Sequence, residues 1–142
     1  MTRPMAVRLL AASLCAGAAW DVFFGLGALY FPGAISSLTG IAVPGDRVFL
    51  SLCGVLLLIL AGFYLVSARA LRRAPELAGM AAAGRFLGFL FFLRVWWGGH
   101  ATIYLVFGLV DLLFAAAHAA LLCRAVCGSE DSLEEPRTEP GA

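Results

Sequence analysis

All six prolines of this chain stand outside four apolar stretches that are each long enough to cross a lipid bilayer. A membrane-spanning helix needs about 20 mainly apolar residues. The stretches run over 5–31, 48–68, 78–97 and 101–123, and Pro4, Pro32, Pro44, Pro75, Pro136 and Pro140 punctuate or flank them. Proline removes a backbone donor and collides with the preceding helical turn, so this placement leaves four uninterrupted helices. Composition agrees. With 62% hydrophobic and 13% charged residues in 142, the chain lacks the polar surface to coat a soluble globule, for which about 25% charged is usual. The fold class expected is an all-α membrane protein, a four-helix transmembrane antiparallel bundle over residues 1–127. Only Gly98-Gly99-His100 separates the third stretch from the fourth, which demands a hairpin there.

All ten basic residues are arginine, yet the formal net charge is +1, without the basic face that a nucleic-acid binder needs. The arginines set the orientation instead, because cytoplasmic flanks are enriched in them. Arg3 and Arg8 precede the first stretch, Arg69, Arg72 and Arg73 follow the second, and Arg124 follows the fourth. Both termini are therefore expected in the cytoplasm, with the chain in a cell inner (plasma) membrane. Trp96 and Trp97 fall where an aromatic belt meets the opposite interface, and Arg94 beside them can snorkel to the headgroups. Arg3, Arg8 and Ala16-Gly17-Ala18 also fit a signal peptide. Hydrophobicity that continues through Phe23 to Phe31 favours an uncleaved helix. The end, from Gly128, carries five acidic residues against Arg137 and reads as a disordered acidic cytoplasmic tail over 128–142.

Ionisable groups in hydrocarbon are costly and are functional candidates by default. Asp21 lies in the first stretch, Arg85 in the third, Asp111 and His118 in the fourth. With a rise of roughly 1.5 Å per residue, Asp21 and Asp111 sit at similar depth slightly outward of centre, and Arg85 and His118 in the cytoplasmic half. Helical phase puts Asp111 and His118 on one face with Tyr104, Gly108 and Ala115, and Asp21 on a face with Gly17, Ala18, Gly25 and Ala28. Arg85 shares its face with Ala81, Ala82 and Gly88, and Gly84-x-x-x-Gly88 permits close backbone approach. Two readings stay open. Asp21, Arg85, Tyr104, Asp111 and His118 form one interior polar site for a lipid-like or quinone-like ligand, or for proton relay; or Asp and Arg form buried pairs that fix helix register, with His118 bonded to a carbonyl. An unpaired carboxylate would be expelled or protonated, so Asp/Arg pairing is expected in both.

The segment 32–46 is too apolar for a freely solvated connector and is expected along the interface or tucked into the bundle mouth. The cysteines match no zinc set, Cys123 and Cys127 lie one turn apart at the cytoplasmic exit, and no cofactor, metal or catalytic motif stands out.

The run Gly27-Ala-Leu-Tyr-Phe-Pro32-Gly, then Leu38-Thr-Gly-Ile-Ala-Val-Pro44 and a Leu-rich stretch ending Ser67-Ala-Arg resembles small bacterial four-helix membrane proteins of the DoxX-like kind. Asp21 stands where that group often carries a basic residue. The resemblance implies a four-helix bundle with an interior small-molecule site. Together these readings favour a non-enzymatic membrane protein that binds an apolar or lipid-like ligand or serves as an accessory subunit, alone, as a homodimer or in a membrane complex. The alternatives are a small proton-coupled transporter using Asp21 and Asp111, and a membrane enzyme acting on a quinone- or sterol-like substrate with Asp and His as acid and base.

Overall fold

A computed structural model describes residues 2–127; the acidic segment 128–142 lies outside the described residues. Five helices follow one another: α1 (Arg3–Tyr30), α2 (Pro32–Thr39), α3 (Val48–Ala70), α4 (Glu76–Trp97) and α5 (Ile103–Cys127). No strand occurs among the described residues. All but α2 are long and apolar enough to cross a membrane.

The helices begin and end for local reasons. Pro4 sits in the first turn of α1 and Pro32 opens α2, positions where the missing N–H costs nothing. Gly40 ends α2 in the left-handed conformation at φ 71°, which glycine adopts without penalty. Asp46 then accepts a hydrogen bond from the Val48 N–H at 2.9 Å, satisfying one of the orphan donors at the start of α3.

The short helix α2 departs from the connector expected between the first two stretches. Ser37 and Thr39 bond back to the carbonyls of Gly33 and Ile35, so hydroxyls that suggest a loop serve a helix here. The Ile35 side chain lies directly against Gly27 of α1, which has no room for a Cβ. That contact folds α2 back onto α1.

Packing is uneven. α1 packs most closely on α3, α4 on α5, and α1 also meets α5, while α3 and α4 touch little. The core is small and built from small residues: Ala18, Ala61, Ala78 and Ala81 around Leu10, Leu14, Tyr64 and Leu71. Larger apolar side chains point outward: Phe49, Leu87, Phe91, Leu113 and Trp97 are all exposed, Trp97 to 82%. Where α1 and α3 cross, a Cβ on Gly25 would lie 3.0 Å from the Gly54 carbonyl oxygen. The two backbones touch.

Candidate ligand cavity and its charged floor

A long polar side chain inside a small-residue core must find partners or be expelled. Arg85, 5% exposed on α4, finds them on two other helices. Its Nη2 donates to Asp21 Oδ1 at 2.8 Å and to the Gly17 carbonyl at 3.0 Å, and its Nη1 donates to Asp111 Oδ1 at 2.7 Å. Gly17 and Asp21 are one turn apart on α1, so a single guanidinium edge reaches both. A planar fork with several donors suits this geometry in a way a lysine ammonium would not. The rings of Tyr64 (4.9 Å) and Phe114 (5.1 Å) bracket the guanidinium, an attractive placement over aromatic faces. Arg85 therefore ties α4 to α1, two helices with little other contact.

Close approach is built into α4. A Cβ on Gly88 would collide with Asp111 Oδ2, whereas Gly84, one turn earlier, has nothing within 4 Å. Only the second glycine of Gly84-x-x-x-Gly88 serves the packing. Gly88→Ala is expected to push the Asp111 carboxylate off Arg85 and to cost about 1–3 kcal/mol, the range for overpacking. Gly84→Ala is expected to be neutral or slightly stabilising. Thermal unfolding of both variants in detergent tests the contrast, and equal behaviour would remove Gly88 from the site.

Above this floor, toward the α1 C-terminus, lies a cavity of about 310 Å³. Asp21, Arg85 and Asp111 line its base, and Phe24, Phe92, Tyr104 and Phe107 form one wall. These aromatics hold one another: Phe107 meets Phe24 edge-on at 5.3 Å and Phe92 at 5.7 Å, and Tyr104 stacks on Phe92 at 6.3 Å. Leu50, Cys53 and Leu57 of α3 form another wall, and Pro32, Ile35, Ser36 and Thr39 of α2 with 41–44 close the far end. The segment 32–46 is thus part of the cavity.

The residues singled out in the sequence distribute unequally. Asp21, Arg85 and Asp111 meet in one ion-paired cluster. Tyr104 lines the cavity and makes no hydrogen bond to that cluster among the described residues, and it meets His100 edge-on. His118 is fully buried but does not line the cavity. It sits against Tyr64 and Phe114, at 6.1 and 5.9 Å between ring centroids, behind the aromatics that bracket Arg85. The Ser13 main chain lies within interaction range of its ring, yet neither ring nitrogen has a partner in hydrogen-bonding geometry among the described residues. Arg94 is exposed at the end of α4.

Tyr64 was not apparent from the sequence. It is fully buried, and its hydroxyl has no hydrogen-bond partner among the described residues. The available signal was a single hydroxyl in an otherwise apolar α3 segment, 55–66. Asp21 Oδ2 is likewise buried without a partner among the described residues, on a residue that lines the cavity floor.

No family model, no curated protein and no solved structure matches this chain.

Proposed function

We propose that the chain is a multi-pass inner-membrane protein, an antiparallel four-helix bundle with both termini in the cytoplasm, that binds a lipid-like or quinone-like amphipath without transforming it. The many exposed phenylalanines and leucines support the bilayer, since so much apolar surface is not tolerated in water. Two clusters support the antiparallel order. Residues from the start of α1, the α3–α4 turn and the end of α5 line one groove: Arg3, Leu71, Arg72 and Leu122. The opposite ends of the same four helices line the cavity. Arg3, Arg8, Arg69, Arg72, Arg73 and Arg124 gather at the groove end, which supports its cytoplasmic placement by the positive-inside rule.

The observation that carries the ligand reading is an aromatic- and aliphatic-walled cavity of about 310 Å³ ending on a buried charged cluster. Apolar walls with a few convergent polar groups characterise small-molecule sites, which occupy about 300–1,000 Å³. The walls would take a hydrocarbon or ring, and the floor would orient a polar end. His118 does not line the cavity, so it is not placed to serve a ligand there as acid or base. This favours binding over catalysis.

Trp20 lines the cavity and provides the readout. In a Trp96→Phe/Trp97→Phe background it is the sole tryptophan. Titration with decanol and with a decyl-substituted benzoquinone, in a neutral detergent, is expected to change its emission saturably. Ala28 is buried against the cavity, and Ala28→Phe should abolish saturation while helicity is retained. A linear, unsaturable response to every probe, or a saturable one unchanged in Ala28→Phe, would overturn the reading.

A further inference from the structure

The charge of the cavity floor specifies which polar end it accepts. Two carboxylates, Asp21 and Asp111, share one guanidinium, Arg85. Among the described residues no other arginine lies in this cluster. The remaining titratable groups packed around it, Tyr64 from α3 and His118 from α5, are not formally charged anions or cations at neutral pH in their ordinary forms. As ionised groups the three sum to −1, a deficit that one bound cation, or one proton on a carboxylate, makes up.

The shortfall has an address. Asp111 Oδ1 and Asp21 Oδ1 are both taken by Arg85, and Asp111 Oδ2 lies against Gly88 of α4. Asp21 Oδ2 is buried without a donor among the described residues, and no hydrogen bond reaches Asp111 Oδ2 among them either. Asp21 is 1% exposed and lines the cavity. The surroundings above it include Trp20, Phe24, Phe107 and Tyr104, aromatic faces that attract cations, with the Trp20 indole N–H and the Tyr104 hydroxyl as the donors among them. Charge deficit, unpartnered acceptors and aromatic walls meet at the cavity floor.

We infer that the cavity selects amphipaths whose polar end is a single positive charge carrying N–H donors, such as a primary alkylammonium, paired with the Asp21 and Asp111 carboxylates at the cavity base. A quinone offers only acceptors and leaves those carboxylate oxygens unpaired. An alcohol can donate one bond but leaves the charge deficit. The inference rests on the ligand reading proposed above and narrows it to a chemical class.

The experiment uses the full chain with Trp20 as its sole tryptophan and compares decylammonium with decanol, matched in chain length. Decylammonium is expected to reach half-saturation at a concentration at least about tenfold lower. Asp21→Asn and Asp111→Asn each leave one carboxylate facing Arg85, and each is expected to reduce that preference to within about twofold. Either variant suffices if the other does not fold, and the wild-type comparison requires neither. Equal midpoints for the two probes on wild type would overturn the cation assignment while leaving ligand binding intact. A preference undiminished in both variants would overturn it too. If neither probe saturates, the ligand reading falls and the inference falls with it.

Discussion

Replacement of Arg85 by leucine is expected to destabilise the fold by about 3–5 kcal/mol or to prevent its formation, the range for removing one partner of a buried ionic cluster. Total stabilities are of the order of 5–15 kcal/mol, so a loss of this size is a large share of the whole. The cause is what remains. Asp21 and Asp111 are both buried, and Arg85 supplies the side-chain hydrogen bonds recorded for each. Without it, two carboxylates face each other in a core of alanine, leucine and aromatic residues, and each must take up a proton or admit water. The Gly17 carbonyl also loses its side-chain donor, though it keeps its place in the helix. Arg85→Leu/Asp21→Leu/Asp111→Leu is expected to recover most of the loss, because removing a whole buried cluster is often neutral where breaking it is not. Unfolding in detergent, followed by helical ellipticity, measures both. A single variant within about 1 kcal/mol of wild type would show that the ion pairs contribute little. A triple variant as unstable as the single would assign the effect to lost packing against Tyr64 and Phe114.

The contrast between these residues and others shows which parts of the fold are readable from residue order. Helix existence is readable because proline and apolar length are local signals: the expected stretches 48–68 and 78–97 differ from α3 and α4 by two residues or fewer at any end. Asp21, Arg85 and Asp111 are readable as a set because a charge in hydrocarbon needs a counter-charge. Their connectivity is not, since helical phase fixes a face but not the neighbouring helix. That Arg85 reaches α1 and α5 together depends on the order of packing. His118 shows the limit of phase in another direction. It shares a helix face with Asp111, but seven residues place it roughly 10 Å further along the axis, below the aromatic bracket and away from the cavity. The helix α2 is hidden because its Ser36, Ser37 and Thr39 resemble loop residues, while what holds it is a contact of Ile35 on Gly27 of the preceding helix. Tyr64 was hidden for the opposite reason: its hydroxyl looks incidental in a hydrophobic helix until Arg85 from another helix is found over its ring.

Gly54→Ala is expected to be destabilising by about 1–3 kcal/mol before any helix-propensity gain, and still destabilising after it. The added Cβ would lie 2.9 Å from the Gly25 carbonyl oxygen and 2.8 Å from Leu29 Cγ. Leu29 can rotate, but a backbone oxygen inside α1 cannot move without moving its helix. Alanine in place of glycine within a helix gains roughly 0.5–1 kcal/mol, so the sign at each glycine depends on what the methyl meets. Gly62, two turns further along α3, has nothing within 4 Å, and Gly62→Ala is expected to stabilise. Opposite signs at two glycines of one helix are therefore the outcome to look for in detergent unfolding, and a shared sign would show that the α1–α3 contact is loose. Gly25→Ala meets the same gap from the other side, at 3.0 Å from the Gly54 oxygen. Because widening the gap once serves both methyls, Gly25→Ala/Gly54→Ala is expected to cost less than the sum of its parts. The consequence reaches the cavity. Asp21 lies one turn from Gly25, and the Arg85 guanidinium that donates to it lies over the ring of Tyr64 on α3, beside Gly17 of α1. A displacement of α1 by a few tenths of an ångström at Gly25 changes the Asp21–Arg85 hydrogen bond at 2.8 Å, so the probe midpoints should shift in Gly54→Ala and remain unchanged in Gly62→Ala. The close crossing of α1 and α3 is then what sets the position of the cavity floor.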